Sequence, residues 1–197
     1  MPALYLKNII EQRRSIRRFI CKSISTDTIK DMVDMARWAP CPNNIQPWRF
    51  YFAKKDSAVT KKVIEYLENK AAIKSIAIAL FLNDAIRVLK SCDSVLYVFN
   101  NNMVRNRYKK MVSSYYQKKA NLFEEQAIAA AIENMMLYAE TLGIGGVWLG
   151  SPVMVGNGIK RIIGSPYELS AVIALGYYDK KPGKTPRMSV DEILTVI

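Results

Sequence analysis

The sequence predicts an α+β fold: a few strands among long helices, without the regular alternation of a doubly wound sheet. Three observations carry this expectation. Apolar residues recur at helical spacing over 26–36 and 122–142. Short apolar runs rich in β-branched and aromatic residues stand at 49–53, 94–99 and 169–177. Neither an internal repeat nor a linker breaks the 197 residues, so one domain, 1–197, is expected.

In chain order, Leu4–Gln12 reads as a first helix with Leu6, Ile9 and Ile10 on one side. It runs into Arg13-Arg14-Ser15-Ile16-Arg17-Arg18-Phe19. A second helix starts near Ser25 or Thr26, either of which can cap it. It buries Ile29, Met32, Val33 and Ala36, and Pro40 ends it. Cys41 to Asn44 is loop chemistry, and Arg49–Ala53 is an aromatic strand. Asp56 is placed as cap of a third helix with Val59, Val63, Tyr66 and Leu67 inward. Residues 71–90 are mostly apolar and read best as helix. Ser94–Phe99 is a buried strand. Leu122–Leu142 is a long helix closed by Gly143 as its C′ glycine. Val147–Leu149 and Leu169–Tyr177 are the remaining strands, and a tail rich in Lys and Pro follows from Lys180.

Composition narrows the chemistry. Half the residues are apolar, enough for a core. Three scattered cysteines, Cys21, Cys41 and Cys92, make no disulfide framework and suit a reducing compartment. Neither an apolar leader nor a membrane-spanning run is visible; the longest apolar run, Ile76–Leu82, is far too short. A cytoplasmic protein without a membrane partner is therefore expected. The chain has no histidine, which removes the usual zinc sites and any Ser-His or Cys-His pair. An enzyme with this composition points to a cofactor for its chemistry. The net charge of +12 favours anionic partners. A nucleic-acid binder is one such reading, but no nucleic-acid motif supports it, and none is expected as partner.

Four segments could carry chemistry. Arg13-Arg14-Ser15-Ile16-Arg17 sets three guanidiniums and a hydroxyl at a helix end, and the planar fork of arginine suits phosphate oxygens. Alone it reads first as a solvated basic turn. Pro40-Cys41-Pro42-Asn43-Asn44-Ile45-Gln46-Pro47-Trp48 offers amide donors and acceptors in a stiffened loop, or an ordinary turn. Gly143-Ile-Gly-Gly-Val-Trp-Leu-Gly150 fails the dinucleotide fingerprint, since Trp148 occupies its last glycine position. Its glycines either admit a flat ligand to the backbone or simply make a tight turn. Lys184-Thr-Pro-Arg187 is a basic patch.

Taken in order, RRSIR, APCPNNIQPW, the long helix with Glu133-Asn134, LGIGGVWLG and GYYDKKPGKTPR resemble the FMN-dependent nitroreductase family over nearly the whole chain. The resemblance implies a central, mostly antiparallel sheet flanked by helices in an intertwined homodimer. It implies FMN held by Arg13, Arg14, Ser15 and Arg17, the first at the phosphate end and Arg17 nearest the N1/C2=O edge of the ring. Pro40, Cys41, Asn44 and Gln46 would reach the flavin from the second subunit. Gly146, Leu149 and Gly150 would back the ring, and Lys184 and Arg187 would close on the phosphate. Arg87, with Asn83, aligns more loosely with a further flavin contact. Cys41 stands where that family usually has Ser, Pro42 and Asn43 replace small residues, and Ala127 stands where an Asp is common.

The implied activity is transfer of hydride from NAD(P)H through flavin N5 to a nitroaromatic, quinone or similar small-molecule acceptor. Specialised relatives that fragment flavin, dehalogenate or dehydrogenate, and flavin carriers without efficient catalysis, are the alternatives. The stretch 100–120 has no acidic residue and carries Arg105, Arg107, Lys109, Lys110, Lys118 and Lys119 among tyrosines. It is expected either as a helical cover shaping acceptor choice or as a solvated face.

Overall fold

The computed structural model describes residues 2–73, 75–108 and 114–197. Four strands, β1 (Trp48–Lys54), β2 (Ser94–Asn100), β3 (Ile144–Leu149) and β4 (Glu168–Tyr177), form one sheet in the order β1-β2-β4-β3. Every ladder is antiparallel, with Phe50 opposite Val98, Leu96 opposite Ile173 and Val147 opposite Ala174. The expected α+β class with a central antiparallel sheet is what the chain adopts.

The central strands β2 and β4 are apolar on both sides because helices cover both faces. Side chains alternate along a strand. Leu96 and Val98 therefore point to one layer, where α2 (Thr26–Ala36) and α6 (Ser114–Thr141) bring Ile29, Met32, Ile128, Ile132 and Met135. Val95, Tyr97 and Phe99 point to the other layer. There α3 (Ala58–Ile73), α4 (Ile76–Ser91) and α7 (Gly156–Ile163) supply Val63, Leu67, Leu82, Leu89 and Ile159. Cys92 lies in this second layer, where burial pushes its thiol up to about 12, leaving it protonated and inert. All three cysteines are free. Among the described residues no helix is long and apolar enough to cross a membrane.

Local rules explain the helix ends. The Ser25 hydroxyl accepts the Thr28 N–H at 3.0 Å and caps α2. Gly143 adopts φ +68° after α6, the left-handed geometry of a C′ glycine. The third helix corrects the sequence reading. Ser57, not Asp56, receives the Thr60 N–H at 3.2 Å, and Val59 is exposed while Val63 and Leu67 are buried. A hydroxyl one residue nearer the helix wins the cap by position. The first helix, α1 (Pro2–Gln12), forms as expected, but Leu6 and Ile10 of its apolar face are exposed in the single chain. Helix α5 (Met103–Tyr108) falls within the 100–120 stretch expected as a helical cover; α7 and α8 (Val190–Ile193) were not foreseen, α7 because it is short and opens on two glycines that hide its periodicity.

Glu124 is fully buried in α6, where its carboxylate accepts the backbone N–H groups of Val104 (2.6 Å) and Arg105 (3.2 Å). Burial raises its pKa despite these bonds. This contact ties the start of the basic 100–120 stretch to the long helix. Lys109 and Lys110 of that stretch lie outside the described residues.

A second polar anchor joins the segment before α2 to the sheet. Asp93 Oδ2 accepts from Lys54 Nζ at 2.6 Å, from Ile24 N at 3.0 Å and from the Ser94 hydroxyl at 2.7 Å. Burial raises the carboxyl, but these donors outweigh it and hold its pKa below the ordinary value. A depressed carboxylate contributes stability that is present above the unfolded value, about 3.9, and lost as pH falls through the lower folded value. Asp93→Asn should cost about 1–3 kcal/mol in urea unfolding at pH 7. The difference from wild type should shrink below about pH 4; an equal deficit at both pH values would show that the charge is not the cause.

Candidate active site

The arginine segment is built onto the sheet by its backbone. Past α1, Ile16 N–H donates to Gly146 O at 3.0 Å, Ser15 bridges Gly146 in parallel, and Ile20 N–H donates to Tyr177 O at 2.8 Å. An extended strand sends alternate side chains to opposite faces. Ile16 is buried at 1% exposure and the adjacent Arg17 is turned out to solvent, as alternation requires; Arg18, beyond the bridge, is exposed as well.

Glycine makes this approach possible. A Cβ on Gly145 would lie 2.5 Å from Ile16 Cγ1 and 2.6 Å from Tyr178 Cδ1. One on Gly146 would meet Leu175 and Met136 at 2.9 Å. Neither glycine has a left-handed φ; both are needed for space. Leu149 is buried in the core at the end of β3, and Gly150 stands open with nothing near its missing side chain.

Two cavities flank the segment. The first, about 610 Å³, has Ser15, Arg17 and Arg18 on one wall and Asp179, Lys180, Lys181 and Gly183 of the tail on the other. The second, about 490 Å³, lies between Arg17, Arg18 and Phe19 on one side and Arg87 and Ser91 of α4 on the other. Both volumes fall in the range of small-ligand sites, about 300–1,000 Å³. Four cations face a single carboxylate in the first, and three guanidiniums line the second, so both favour an anionic ligand. Arg87 is also paired with Asp84 at 2.8 Å on its own helix.

The remaining arginines sit around this centre. Arg13 pairs with Glu133 of α6 at 3.5 Å. Arg14 donates through Nη1 to Glu11 O and Arg13 O, while its buried Nε has no partner among the described residues. Arg17 Nη1 reaches Ser15 O at 3.3 Å. Lys184 and Arg187 lie exposed further along the tail, with Arg187 bonded to Thr185, and line neither cavity.

The loop of Pro40, Cys41, Asn44 and Gln46 contributes no wall to either cavity; it rests against α6. Asn43, Asn44 and Gln46 adopt φ of 49°, 53° and 52°. Three left-handed non-glycine residues within four positions are strained, and Asn bears this best. Cys41 Sγ accepts the Gln46 N–H at 3.3 Å, and Arg49 donates to Gln46 O at 3.2 Å, which hold the loop. The thiol thus works here as an acceptor within its own loop.

The structure therefore brings Ser15, Arg17, Arg87 and Gly146 together and leaves the loop and the tail end apart within one chain. Sequence reasoning missed Arg18, Lys180, Lys181 and Gly145 as contributors. Arg18 and the two lysines lay inside motifs already singled out; Gly145 has no signal beyond its neighbour.

A helix-covered antiparallel sheet, with a glycine-seated arginine segment facing cationic cavities, defines an α+β protein that takes an anionic small-molecule ligand. The model described as "Nitroreductase family" matches residues 10–177, and the chain belongs to that family. An NADH dehydrogenase of Thermus thermophilus is 24% identical, covering 98% of this chain and 97% of that protein. Among solved structures, a BluB-like flavoprotein from Clostridium difficile 630 superposes with a TM-score of 0.76 at 25% identity, covering 98% of each chain. The NADPH:FMN oxidoreductase of Vibrio harveyi, complexed with NAD+, gives 0.75 at 18%, covering 96% of this chain and 76% of that one.

Gly145→Ala tests the seat of the arginine segment. The added methyl must displace Ile16 or Tyr178, so the variant should lose about 1–3 kcal/mol of stability. Amide exchange of Ile16 should quicken; unchanged protection there would show that the segment is held by something else.

Proposed function

We propose that this chain is an FMN-dependent NAD(P)H oxidoreductase that passes electrons to nitroaromatic, quinone or similar small acceptors. The observation that carries the reading is the segment after α1, fixed by backbone bonds at Gly146, with Arg17 and Arg18 lining both cationic cavities and Ser15 the larger one. Family membership and relatives named as NADH dehydrogenase and NADPH:FMN oxidoreductase support it.

The residues present fit a phosphate-tailed flat ring. The cavities have the volume and the charge, and Arg14 Nε is a buried donor without a partner among the described residues. Arg13, Arg14 and Ser15 would hold the ligand from the segment, with Lys184 and Arg187 closing on the phosphate. Arg17 would meet the N1/C2=O edge of the ring, Arg87 would make a further contact, and Gly146, Leu149 and Gly150 would back it. FMN, when bound, supplies the hydride chemistry. A cation preorganised by Arg17 favours negative charge on that edge, which is where reduction places it. Without histidine the chain offers no imidazole relay, and protons come from water.

A homodimer completes the site. Pro40, Cys41, Asn44 and Gln46 line neither cavity of their own chain, which agrees with service to a partner's flavin. Apolar surface is available for a second copy: Leu4, Leu6 and Ile10 on α1 and Leu194, Val196 and Ile197 at the C-terminus are exposed. A single domain working in the cytoplasm completes the reading.

Purified protein should be yellow, release FMN on denaturation and turn over NADH or NADPH with a nitroaromatic or quinone. Arg13→Ala should bind FMN about tenfold more weakly, the loss of one charge-assisted phosphate contact. A colourless wild type that takes up no added FMN would end the proposal; full flavin loading of the variant would end the phosphate role of Arg13. Sedimentation should give twice the chain mass.

A further inference from the structure

The two walls of the larger cavity are secured very differently. The Ser15–Ile20 wall is held by backbone hydrogen bonds to β3 and β4. The tail wall, Asp179–Gly183, follows β4 without joining the sheet. Its side-chain anchor is Lys181, whose ammonium pairs with the Glu140 carboxylate in the last turn of α6. The Glu140 side chain is only 6% exposed and that of Lys181 29%. A carboxylate so withdrawn from water depends on its counter-ion. Tyr178, beside Lys181, packs against Gly145, so this contact lies next to the seat of the arginine segment.

We propose that Glu140 is a positioning residue: through Lys181 it holds the basic tail as the second wall of the cofactor cavity and so sets how tightly the phosphate end of the flavin is bound. The role rests on the FMN reading above. Glu140 is an anion and would repel a phosphate, so its contribution runs through the tail. Beyond Gly183 the chain to Arg187 has neither helix nor strand, and Lys184 and Arg187 reach a phosphate only if Lys181 fixes where the tail begins. Burial draws the Lys181 pKa down, but the bond to Glu140 outweighs it and raises the ammonium above its ordinary value. A raised lysine keeps its contribution below the unfolded pKa and loses it only in strong alkali, so the anchor is closed throughout the neutral range.

The test uses Glu140→Gln and Lys181→Met with two readouts on the full-length chain. Trypsin cleavage after Lys184 and Arg187 in flavin-stripped protein reports the tail without any ligand. Titration with FMN, followed by flavin fluorescence, reports the site. In each variant, tail cleavage should quicken and FMN affinity fall by about tenfold, the double variant should be no worse than either single, and Lys181→Arg should behave as wild type. If either single variant does not fold, the double variant, which leaves neither charge unpaired, carries both readouts. Wild-type FMN binding with undiminished affinity in a folded variant overturns the role of Glu140 alone, as does tail cleavage at the wild-type rate. A wild type that binds no FMN overturns the flavin reading itself, and this role with it.

Discussion

The site depends on one close approach between backbones. Ile16 gives its N–H to Gly146 O, and Gly145 leaves room for the Ile16 side chain to be buried beneath. An ordinary residue at 145 would stand inside the van der Waals radius of Ile16 and Tyr178. The strand thus accepts a parallel neighbour at its outer edge, and the alternation of that neighbour decides which side chains face outward. Ile16 anchors, while Arg17 next to it is turned outward and lines both cavities. The chemistry of the segment follows from the packing of the residue between its charges.

Charge is spread over the surface, but few ion pairs organise the fold. Lys30–Asp27, Arg37–Asp34 and Arg87–Asp84 are exposed pairs within one helix turn, and such pairs contribute little. Lys54–Asp93 and Lys181–Glu140 are the withdrawn ones. Each fixes a segment that the sheet ladder does not reach: the approach to α2 in one case, the basic tail in the other. These two acids hold chain in place, while Arg17, Arg18 and Lys180 remain as cations on the cavity walls.

Much of the architecture was legible because its signals are local. Ile29, Met32 and Ala36 announce a helix by spacing, Gly143 stops another by its left-handed φ, and the run from Val95 to Phe99 is apolar throughout because helices cover both faces. The misses share a cause. Helix α7 is short and begins at Gly156 and Gly158, so periodicity cannot reveal it. Ser57 outcompeted Asp56 as a cap through geometry that composition does not rank. The apolar side of α1 was legible from spacing, but whether it is covered was not: Leu6 and Ile10 find no cover among the described residues.

The sequence by itself determined the fold class, the cation-rich chemistry and the absence of imidazole, since these follow from residue type and short-range spacing. Motif order was enough to indicate the family. Only the tertiary structure decided which cations share a cavity. Arg17 and Arg87 stand 70 residues apart and Glu140 and Lys181 stand 41 apart. Such pairs meet because sheet order and helix packing bring distant segments together, and no local pattern encodes the distance between them.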